Sequence, residues 1–456
     1  MPLFVANGAG FLGDSLDAPR RLAESLELDY LTLEYLAELT LSVLARARER
    51  DPGAGFAGDL VTVLRELSPA LRNQSKLRII TNGGGVNPLA GGKAAGQLLA
   101  AEGMGHDPLG VVAGDDLLPR IAELQAAGVS LAHLDTGEPL SSLTAPIVSA
   151  HAYMGAQGIA QALAAGARHV VTGRVADASL TLGPAVHEFG WSWSDWNRLA
   201  GASVAGHLIE CGAQSTGGYS VAAAPWDLAD VGYPIAELSD DGSSIITKPV
   251  GSQGVVDRFS VIEQLVYEIG DPAHYLTPDV DCDFTSVEVR SAGGNRVQIS
   301  GATGNPRPDM LKVALSYRDG FTSAATLLVW GDDCLEKARA CGEILFARLA
   351  QAGHTYARTN IELLGAGEGV PGIAPPKSTG RPPEVVVRLA VHDPRREAVE
   401  RFTKEFAPLI TSGPAGLAGY AVGRADVRPV FAYWPALVPR ELVEPKVEVR
   451  PAKEWA

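Results

Sequence analysis

The chain has 456 residues, 46% of them hydrophobic and 20% charged, a balance that excludes an intrinsically disordered protein. Its 53 acidic residues outnumber its 38 basic residues, and the net charge of −15 would repel a phosphate backbone, which argues against a nucleic acid partner. The 51 glycines and the 6% of aromatic residues favour an α/β protein with many strand-to-helix loops over an all-β binding module.

The first 225 residues alternate short apolar runs with amphipathic segments. The predicted strands are Leu3–Asn7, Asp29–Leu33, Leu77–Thr81, Leu109–Ala113, Leu131–Leu134 and His169–Thr172. The predicted helices are Pro19–Leu26, Leu36–Glu49, Leu60–Leu67, Pro88–Ala101, Leu117–Ala127, Ala150–Ala165 and Asp195–Cys211. Alternation at this spacing predicts an α/β domain over residues 1–225, with a mostly parallel sheet covered by helices.

Residues 226–456 have a different pattern and predict an α+β domain. The predicted strands are Ser244–Lys248, Thr285–Arg290, Arg296–Ser300, Leu311–Tyr317, Tyr356–Leu363 and Glu384–His392. The predicted helices are Arg258–Ile269, Cys334–Ala352 and Arg395–Pro408. The segment Ala366–Pro383 is rich in glycine and proline, which predicts a loop or linker.

A glycine-rich loop follows the first predicted strand. Gly8, Gly10 and Gly13 have the spacing of a dinucleotide-binding turn, and Glu34 lies where an acid would bind a ribose hydroxyl. A helix that starts inside this glycine run would place Pro19 in its second turn, where proline removes a hydrogen bond. Gly8, Gly10 and Gly13 are therefore candidate cofactor-binding residues, with a structural or ligand-facing loop as the alternative that Pro19 favours.

A second glycine loop follows the third predicted strand. Gly83, Gly84, Gly85 and Asn87 precede Pro88, with Asn87 placed to cap the next helix. Glycines allow close approach of a ligand, and a helix N-terminus offers free N–H groups to a carboxylate or phosphate. These four residues are candidate substrate-binding residues, with a tight structural turn as the alternative.

Charged residues follow several of the predicted strands. Ligands of parallel α/β sheets bind beyond the carboxyl ends of the strands, where Asp116, Asp135, Arg174 and Asp177 are expected to converge. Arg174 is a candidate for gripping a substrate carboxylate, and Asp177 or Asp116 is the candidate acid or base. The alternative for each single aspartate is helix capping.

The helix predicted over Asp195–Cys211 carries His207 and Glu210 on one face, and either is a candidate proton donor. The polar loop that follows contains Ser215 and Thr216, which are candidate substrate-binding residues. Cys211 would act as a nucleophile only with a partner base, and the alternative is a purely structural role in packing.

The acidic run Asp279–Asp283 is the best place for a hard cation, although a solvated strand edge is the preferred interpretation. The chain has no HExxH motif and no paired Cys/His spacing, which argues against zinc. We therefore assign no metal ligand. The sequence does not decide between an absent cofactor and a divalent metal.

Four scattered cysteines are too few for a disulfide framework, and Met1–Asn7 lacks the basic region of a signal peptide. No apolar run is long enough to span a membrane. These observations favour a cytoplasmic protein without membrane contact. Base rates for large catabolic enzymes favour a homo-oligomer.

Several of these loops together resemble one family, the acyclic terpene utilisation (AtuA) family. The resemblance covers most of the chain, and its motifs occur in order. The matching segments are Gly8–Asp14, Leu28–Glu38, Thr81–Pro88, Thr172–Leu180, His207–Tyr219, Gly232–Glu237, His274–Phe284 and Leu311–Gly320.

The resemblance implies breakdown of branched or terpenoid carboxylic acids through acyl-CoA steps. Longer members of the family carry a C-terminal ferredoxin-like domain, for which this sequence leaves no obvious room. The expected explanation is either a separate small ferredoxin-fold subunit as a partner or a lineage that has lost the domain. We expect an enzyme of lyase or hydratase type, acting by acid/base chemistry on a small carboxylate or acyl-CoA. The alternatives are a non-catalytic or obligate subunit of a two-component enzyme and an NAD(P)-dependent dehydrogenase.

Overall fold

The computed structural model describes residues 1–221, 225–369, 382–419 and 423–456. The chain forms two compact units, of which unit 1 comprises Met1–Ser316 with Tyr433–Ala456 and unit 2 comprises Tyr317–Ala432. The predicted division at 225/226 does not coincide with these limits. Most of the glycine- and proline-rich segment, residues 370–381, lies outside the described residues, so the loop predicted there stays a prediction.

The α-helices of the described residues are α1 (Ala18–Ser25), α2 (Glu38–Arg50), α3 (Asp59–Asn73), α4 (Pro88–Ala101), α5 (Ile121–Ala126), α6 (Gln157–Ala164), α7 (Ser179–Phe189), α8 (Trp196–Glu210), α9 (Arg258–Leu265), α10 (Cys334–Gln351), α11 (Arg396–Glu405) and α12 (Leu409–Ser412). The first strands are β1 (Leu3–Asn7), β2 (Tyr30–Leu33), β3 (Arg78–Thr81), β4 (Pro108–Ala113), β5 (Ile147–Ala152), β6 (His169–Thr172), β7 (Ile235–Leu238) and β8 (Ser244–Thr247). The remaining strands are β9 (Tyr275–Leu276), β10 (Asp281–Asp283), β11 (Glu288–Ser291), β12 (Val297–Ser300), β13 (Thr303–Asn305), β14 (Met310–Trp330), β15 (Arg358–Leu364), β16 (Glu384–Asp393), β17 (Leu417–Gly419), β18 (Arg428–Pro439) and β19 (Lys446–Pro451).

Unit 1 is built on a ten-stranded sheet with the order β11-β12-β8-β7-β1-β2-β3-β6-β4-β19. The five strands β1, β2, β3, β6 and β4 run parallel. The strands added at both edges are antiparallel. The α/β class is confirmed, but the sheet is mixed, so the prediction of a mostly parallel sheet is not. The physical reason is that strands from beyond residue 226 join this sheet, which local periodicity cannot reveal.

Helices pack their apolar faces on the parallel strands. The buried residues of α3 recur every three or four positions, and they include Leu60, Leu64, Leu67 and Leu71. Each fully buried leucine contributes roughly 1.5–3 kcal/mol to stability. This apolar face holds α3 in the core beneath the site.

Two helices begin where the residues at their N-termini predict. Asn87 caps α4, its Oδ1 accepting a hydrogen bond from the amide of Ala90, and Pro88 occupies the first helical turn. Pro19 lies in the first turn of α1, as predicted. The predicted helix over Pro88–Ala101 and the predicted strand over His169–Thr172 are confirmed with the same limits.

Two predicted elements are wrong. Leu131–Leu134 is not a strand, because Leu131 has a φ of 46°, in the left-handed region that interrupts extended backbone. The predicted helix over 150–165 is the end of β5 followed by α6. Helix α7 was not predicted at all.

Unit 2 begins within the long strand β14 and continues through α10, β15, β16, α11 and β17. Its strands pair antiparallel in the order β15-β16-β14-β17. This β-α-β-β-α-β arrangement is the topology of ferredoxin-like folds. Cys334 and Cys341, seven residues apart on α10, are buried in its core.

The carboxyl ends of the five parallel strands meet at one edge of the unit 1 sheet. A buried polar residue lies at or just beyond the end of each strand: Asn7, Glu34, Asn82, Asp115 and Arg174. Polar groups in such positions need partners, because burying them unpaired is unfavourable. This edge is therefore the place to look for a functional site.

We predict that Gly84→Ala destabilises the protein by roughly 1–3 kcal/mol, because the new Cβ would collide with the carbonyl oxygen of Thr172. The midpoint of thermal unfolding measures this effect. Gly270→Ala is the matched control, because a Cβ there would lie in open space. Equal unfolding midpoints for the two variants would contradict the close packing of this turn.

Candidate functional site

A cavity of about 540 Å³ lies at the carboxyl edge of the parallel strands in unit 1. This volume is in the range of small-molecule sites. Its polar lining includes Glu38, Arg174, Asp177, His207, Glu210 and Lys312. Its apolar lining includes Leu36, Leu134, Leu276, Met310 and Leu437. The cavity therefore offers a polar side and a hydrocarbon side to one ligand.

Arg174, just beyond β6, is buried beneath the cavity with only 2% of its side chain exposed. Its Nη2 lies 2.7 Å from Oδ1 of Asp177, and its Nη1 donates a hydrogen bond of 2.9 Å to the carbonyl of Leu36. Its guanidinium carbon is 4.1 Å from the centre of the Tyr153 ring. These contacts pair and hold a charge that would otherwise be costly to bury.

Asp177 is the carboxylate that the cavity can reach, with 35% of its side chain exposed. That exposed surface faces the cavity, and protein surrounds the rest of the side chain. This surrounding burial raises the pKa of Asp177, although the Arg174 guanidinium acts in the opposite direction. Asp177 therefore has the position and the charge balance of an acid or base.

His207 and Glu210 form a buried pair on α8, as their spacing predicted. Nδ1 of His207 lies 3.1 Å from Oε1 of Glu210, and Nε2 of His207 lies 2.9 Å from the carbonyl oxygen of Gln264. A carbonyl only accepts, so Nε2 carries a proton. Nδ1 and Oε1 then share one further proton.

The protonation of this pair follows from its burial. Burial raises the pKa of Glu210 to about 7, although its hydrogen bond with His207 acts in the opposite direction. Burial by itself would lower the pKa of His207, but Glu210 raises it overall. Within the described residues, Oε2 of Glu210 is buried with no hydrogen-bond partner, which also favours its neutral form.

The cavity lining also includes residues that were not predicted as site residues from the sequence, among them Glu38, Tyr153 and Lys312. Oε1 of Glu38 accepts a hydrogen bond of 2.6 Å from the Tyr153 hydroxyl and lies 2.9 Å from Nζ of Lys312. Tyr153 follows β5 directly and falls inside the helix predicted over 150–165, so its position at a strand end could not be predicted. Lys312 lies in the alternating pattern of β14, which carries no sign of a site.

The second aspartate at the end of β4, Asp116, does not line the cavity. Its Oδ2 lies 3.3 Å from Nη1 of Arg48, and its Oδ1 accepts from the amide of Leu118. Asp115 points inward instead and is 1% exposed. Its Oδ2 accepts from the amide of Arg174 and lies 2.8 Å from Nδ1 of His151. The predicted catalytic role of Asp116 has no support from this placement.

The loop of Gly83, Gly84, Gly85 and Asn87 forms a packed turn and does not line the cavity. The amides of Gly83, Gly85 and Asn87 donate to oxygen atoms of residues 81–84. A Cβ on Gly84 would collide with neighbouring backbone. These glycines therefore serve close packing, and their substrate-binding role stays a prediction.

Ser215 and Thr216 are buried after α8 and do not line the cavity either. The Thr216 hydroxyl donates to the carbonyl of Ala213, and the carbonyl of Ser215 accepts from the Ser260 hydroxyl.

Cys211, the candidate nucleophile, follows α8. Burial raises the pKa of its thiol, which opposes formation of a nucleophilic thiolate.

The amides of the first glycine loop already have partners within the protein. The amide of Gly8 donates to the carbonyl of Thr32, and those of Gly10 and Gly13 donate to carboxylates. A carboxylate on these amides would repel a dinucleotide pyrophosphate. Helix α1 also begins only at Ala18, outside the glycine run.

Glu34, the candidate ribose ligand, is 3% exposed. Its Oε1 accepts from the amide of Leu36 and from the side chain of Asn82. Burial, together with the charge of Asp177, raises its pKa well above the ordinary value. The dehydrogenase alternative therefore stays a prediction that this loop does not support.

The aspartates of the acidic run have separate partners. Asp279 is buried and accepts from the amide of Ala156, and Asp281 lies 3.0 Å from Nδ1 of His274. Oδ1 of Asp283 accepts hydrogen bonds within its own turn. Among the described residues, no group of three or more His, Cys, Asp or Glu side chains is placed to hold a metal.

A comparison with protein families matches residues 3–449 to the family described as acyclic terpene utilisation family protein AtuA. No curated protein and no solved structure matches the chain. None of the helices in the described parts of the chain is both long enough and apolar enough to cross a membrane.

We predict that Glu210→Gln becomes more stable relative to the native chain as the pH rises from about 4.5 to about 7. Native Glu210 keeps its proton over this range whereas the unfolded chain releases it, so its contribution to stability is lost as the pH rises through 7. The difference in unfolding free energy should change by up to roughly 3 kcal/mol. Denaturant titrations at pH 5 and pH 8 measure it.

The matched control is Glu66→Gln, since Glu66 is exposed on α3. Its unfolding free energy relative to the native chain, measured at the same two pH values, is the reference for Glu210→Gln. A flat difference for Glu210→Gln would show that Glu210 ionises normally in the folded protein.

Proposed function

Because the chain belongs to the acyclic terpene utilisation family AtuA, we propose that it is an enzyme of branched-chain or terpenoid carboxylic acid catabolism. The proposed chemistry is of lyase or hydratase type, and the proposed substrate is a small carboxylate or its acyl-CoA thioester. The reaction adds or removes water beside an activated carbonyl. We further propose that the protein acts in the cytoplasm as a homo-oligomer, with a small ferredoxin-fold protein as an additional partner.

The observation that supports this proposal is the pair of carboxyl groups, Asp177 and Glu210, in one apolar-walled cavity. Burial raises the pKa of both groups, but their partners differ: a guanidinium for Asp177 and an imidazole for Glu210. Two carboxyl groups in different environments can hold different protonation states at one pH, as general acid/base catalysis requires. The apolar wall suits a branched hydrocarbon chain.

In the proposed dehydration, the Asp177 carboxylate removes a proton from the carbon beside the carbonyl. The electron pair of that C–H bond becomes the new C=C bond, and the C–O bond of the neighbouring hydroxyl breaks. The departing oxygen takes a proton from the Glu210–His207 pair and leaves as water. Hydration is the same sequence in reverse.

The two members of the proton-donating pair have different access to the cavity. The side chain of Glu210 is 11% exposed, whereas that of His207 is 2% exposed and its Nε2 is bonded to a carbonyl. We therefore assign proton donation to Glu210. His207 holds Glu210 in place by a hydrogen bond and passes a proton back to it. Arg174, buried against Asp177, keeps that carboxylate in place and favours its ionised form.

We predict that Asp177→Asn lowers kcat by roughly 10²–10⁴-fold, because the amide cannot accept the proton. The measurement is the interconversion of branched 3-hydroxyacyl-CoA and 2-enoyl-CoA thioesters, followed by the enoyl absorbance. The thermal unfolding midpoint checks that the variant is folded.

Asp135→Asn is the control, because the Asp135 side chain is 81% exposed and does not line the cavity. It should keep the native kcat. Native turnover by a folded Asp177→Asn variant would remove Asp177 from the proposed mechanism.

A further inference from the structure

Two side chains with permanent positive charge line the cavity, and they differ in access. The Lys312 side chain is 42% exposed, whereas that of Arg174 is 2% exposed. Lys312 is therefore the more accessible of the two cations to a ligand in the cavity. The Arg174 guanidinium is already engaged by Asp177 and the carbonyl of Leu36.

Lys312 is held in place by groups that come from distant parts of the chain. Its Nζ lies 2.9 Å from Oε1 of Glu38, 4.8 Å from the ring centre of Tyr153 and 5.9 Å from that of Tyr433. Burial by itself would raise the pKa of Glu38, but the Tyr153 hydroxyl and Lys312 lower it to about 2. Glu38 is therefore a constant anion that fixes the ammonium at the cavity wall.

An ammonium has three N–H donors, and Glu38 takes one of them. The Tyr433 hydroxyl also interacts with the ammonium, and the Tyr153 ring attracts the charge without using a donor. One N–H donor is therefore left for a ligand oxygen. Met310, two residues before Lys312 on β14, lines the same cavity. An acid whose carboxylate lies at Lys312 would thus have apolar surface beside it for its hydrocarbon chain.

We propose that Lys312 is the residue that recognises the carboxylate of the ligand, and that Arg174 acts from behind the wall as the positioning residue for Asp177. The ligand class is a branched-chain carboxylic acid in its ionised form. This inference rests on the proposed function for the ligand class, but it assigns the recognition of charge to a residue outside the predicted site.

The test is a comparison of two probes that differ only in charge: 3-methylbutanoate and 3-methylbutanamide. Titration calorimetry measures their affinities for the native chain, for Lys312→Met and for Lys312→Arg. Native protein should bind the acid at least about tenfold more tightly than the amide. Lys312→Met should lose this preference without a change in amide affinity, and Lys312→Arg should restore part of it.

Two further variants secure the interpretation. Lys93→Met removes an exposed lysine of α4 outside the cavity and should keep the native preference. The double variant Lys312→Met with Glu38→Gln removes both charges of the ion pair and should also lose the preference, even if the single variant folds poorly because Glu38 lacks its partner.

The outcomes separate this inference from the proposed function. A preference for the acid that survives in folded Lys312→Met, or in the double variant, overturns the role of Lys312 alone. Failure of the native chain to bind either probe overturns the free branched-chain acid as the ligand class and the role of Lys312 with it, whereas the acyl-CoA form of the proposed function is decided separately by the turnover assay. Loss of the preference in these variants, with the amide still bound, supports the role of Lys312.

Discussion

The organisation of unit 1 depends on the burial of one charge, the guanidinium of Arg174. Removing such an ion from water costs several kcal/mol unless partners replace its hydration. Those partners are the carboxylate of Asp177, the carbonyl of Leu36 and the ring of Tyr153. They lie beyond strands β6, β2 and β5, so the positions of these three strands must be correct together. A shift of any one of them would remove one of these partners from the buried charge.

The same requirement places a reactive carboxylate beside an apolar wall. Asp177 is held from below by Arg174 and remains accessible from the cavity. Glu210 and His207 approach from helix α8 and share a proton away from water. The sheet edge thus provides one carboxyl group and a covering helix the other. Their environments differ because one is paired with a permanent cation and the other with an imidazole.

Much of the fold and part of the site could be predicted from local patterns. Asn87 and Pro88 start α4 where their chemistry requires, and Arg174, Asp177, His207 and Glu210 all line the cavity. Prediction failed where the local sequence pattern was ambiguous. An alanine-rich stretch over 150–165 has no clear period, so the turn from β5 into α6 could not be seen. For the same reason Tyr153 was not identified as a site residue.

The sequence by itself determined the family, the α/β class and which charged residues follow the parallel strands. Only the tertiary structure decided that Asp115 rather than Asp116 faces inward, because successive side chains of extended backbone point to opposite sides. The tertiary structure also decided that Lys312 contacts Glu38, which lies 274 residues away in the sequence. Local propensities act over a few residues, whereas such a meeting depends on how β14 and the parallel sheet pack together.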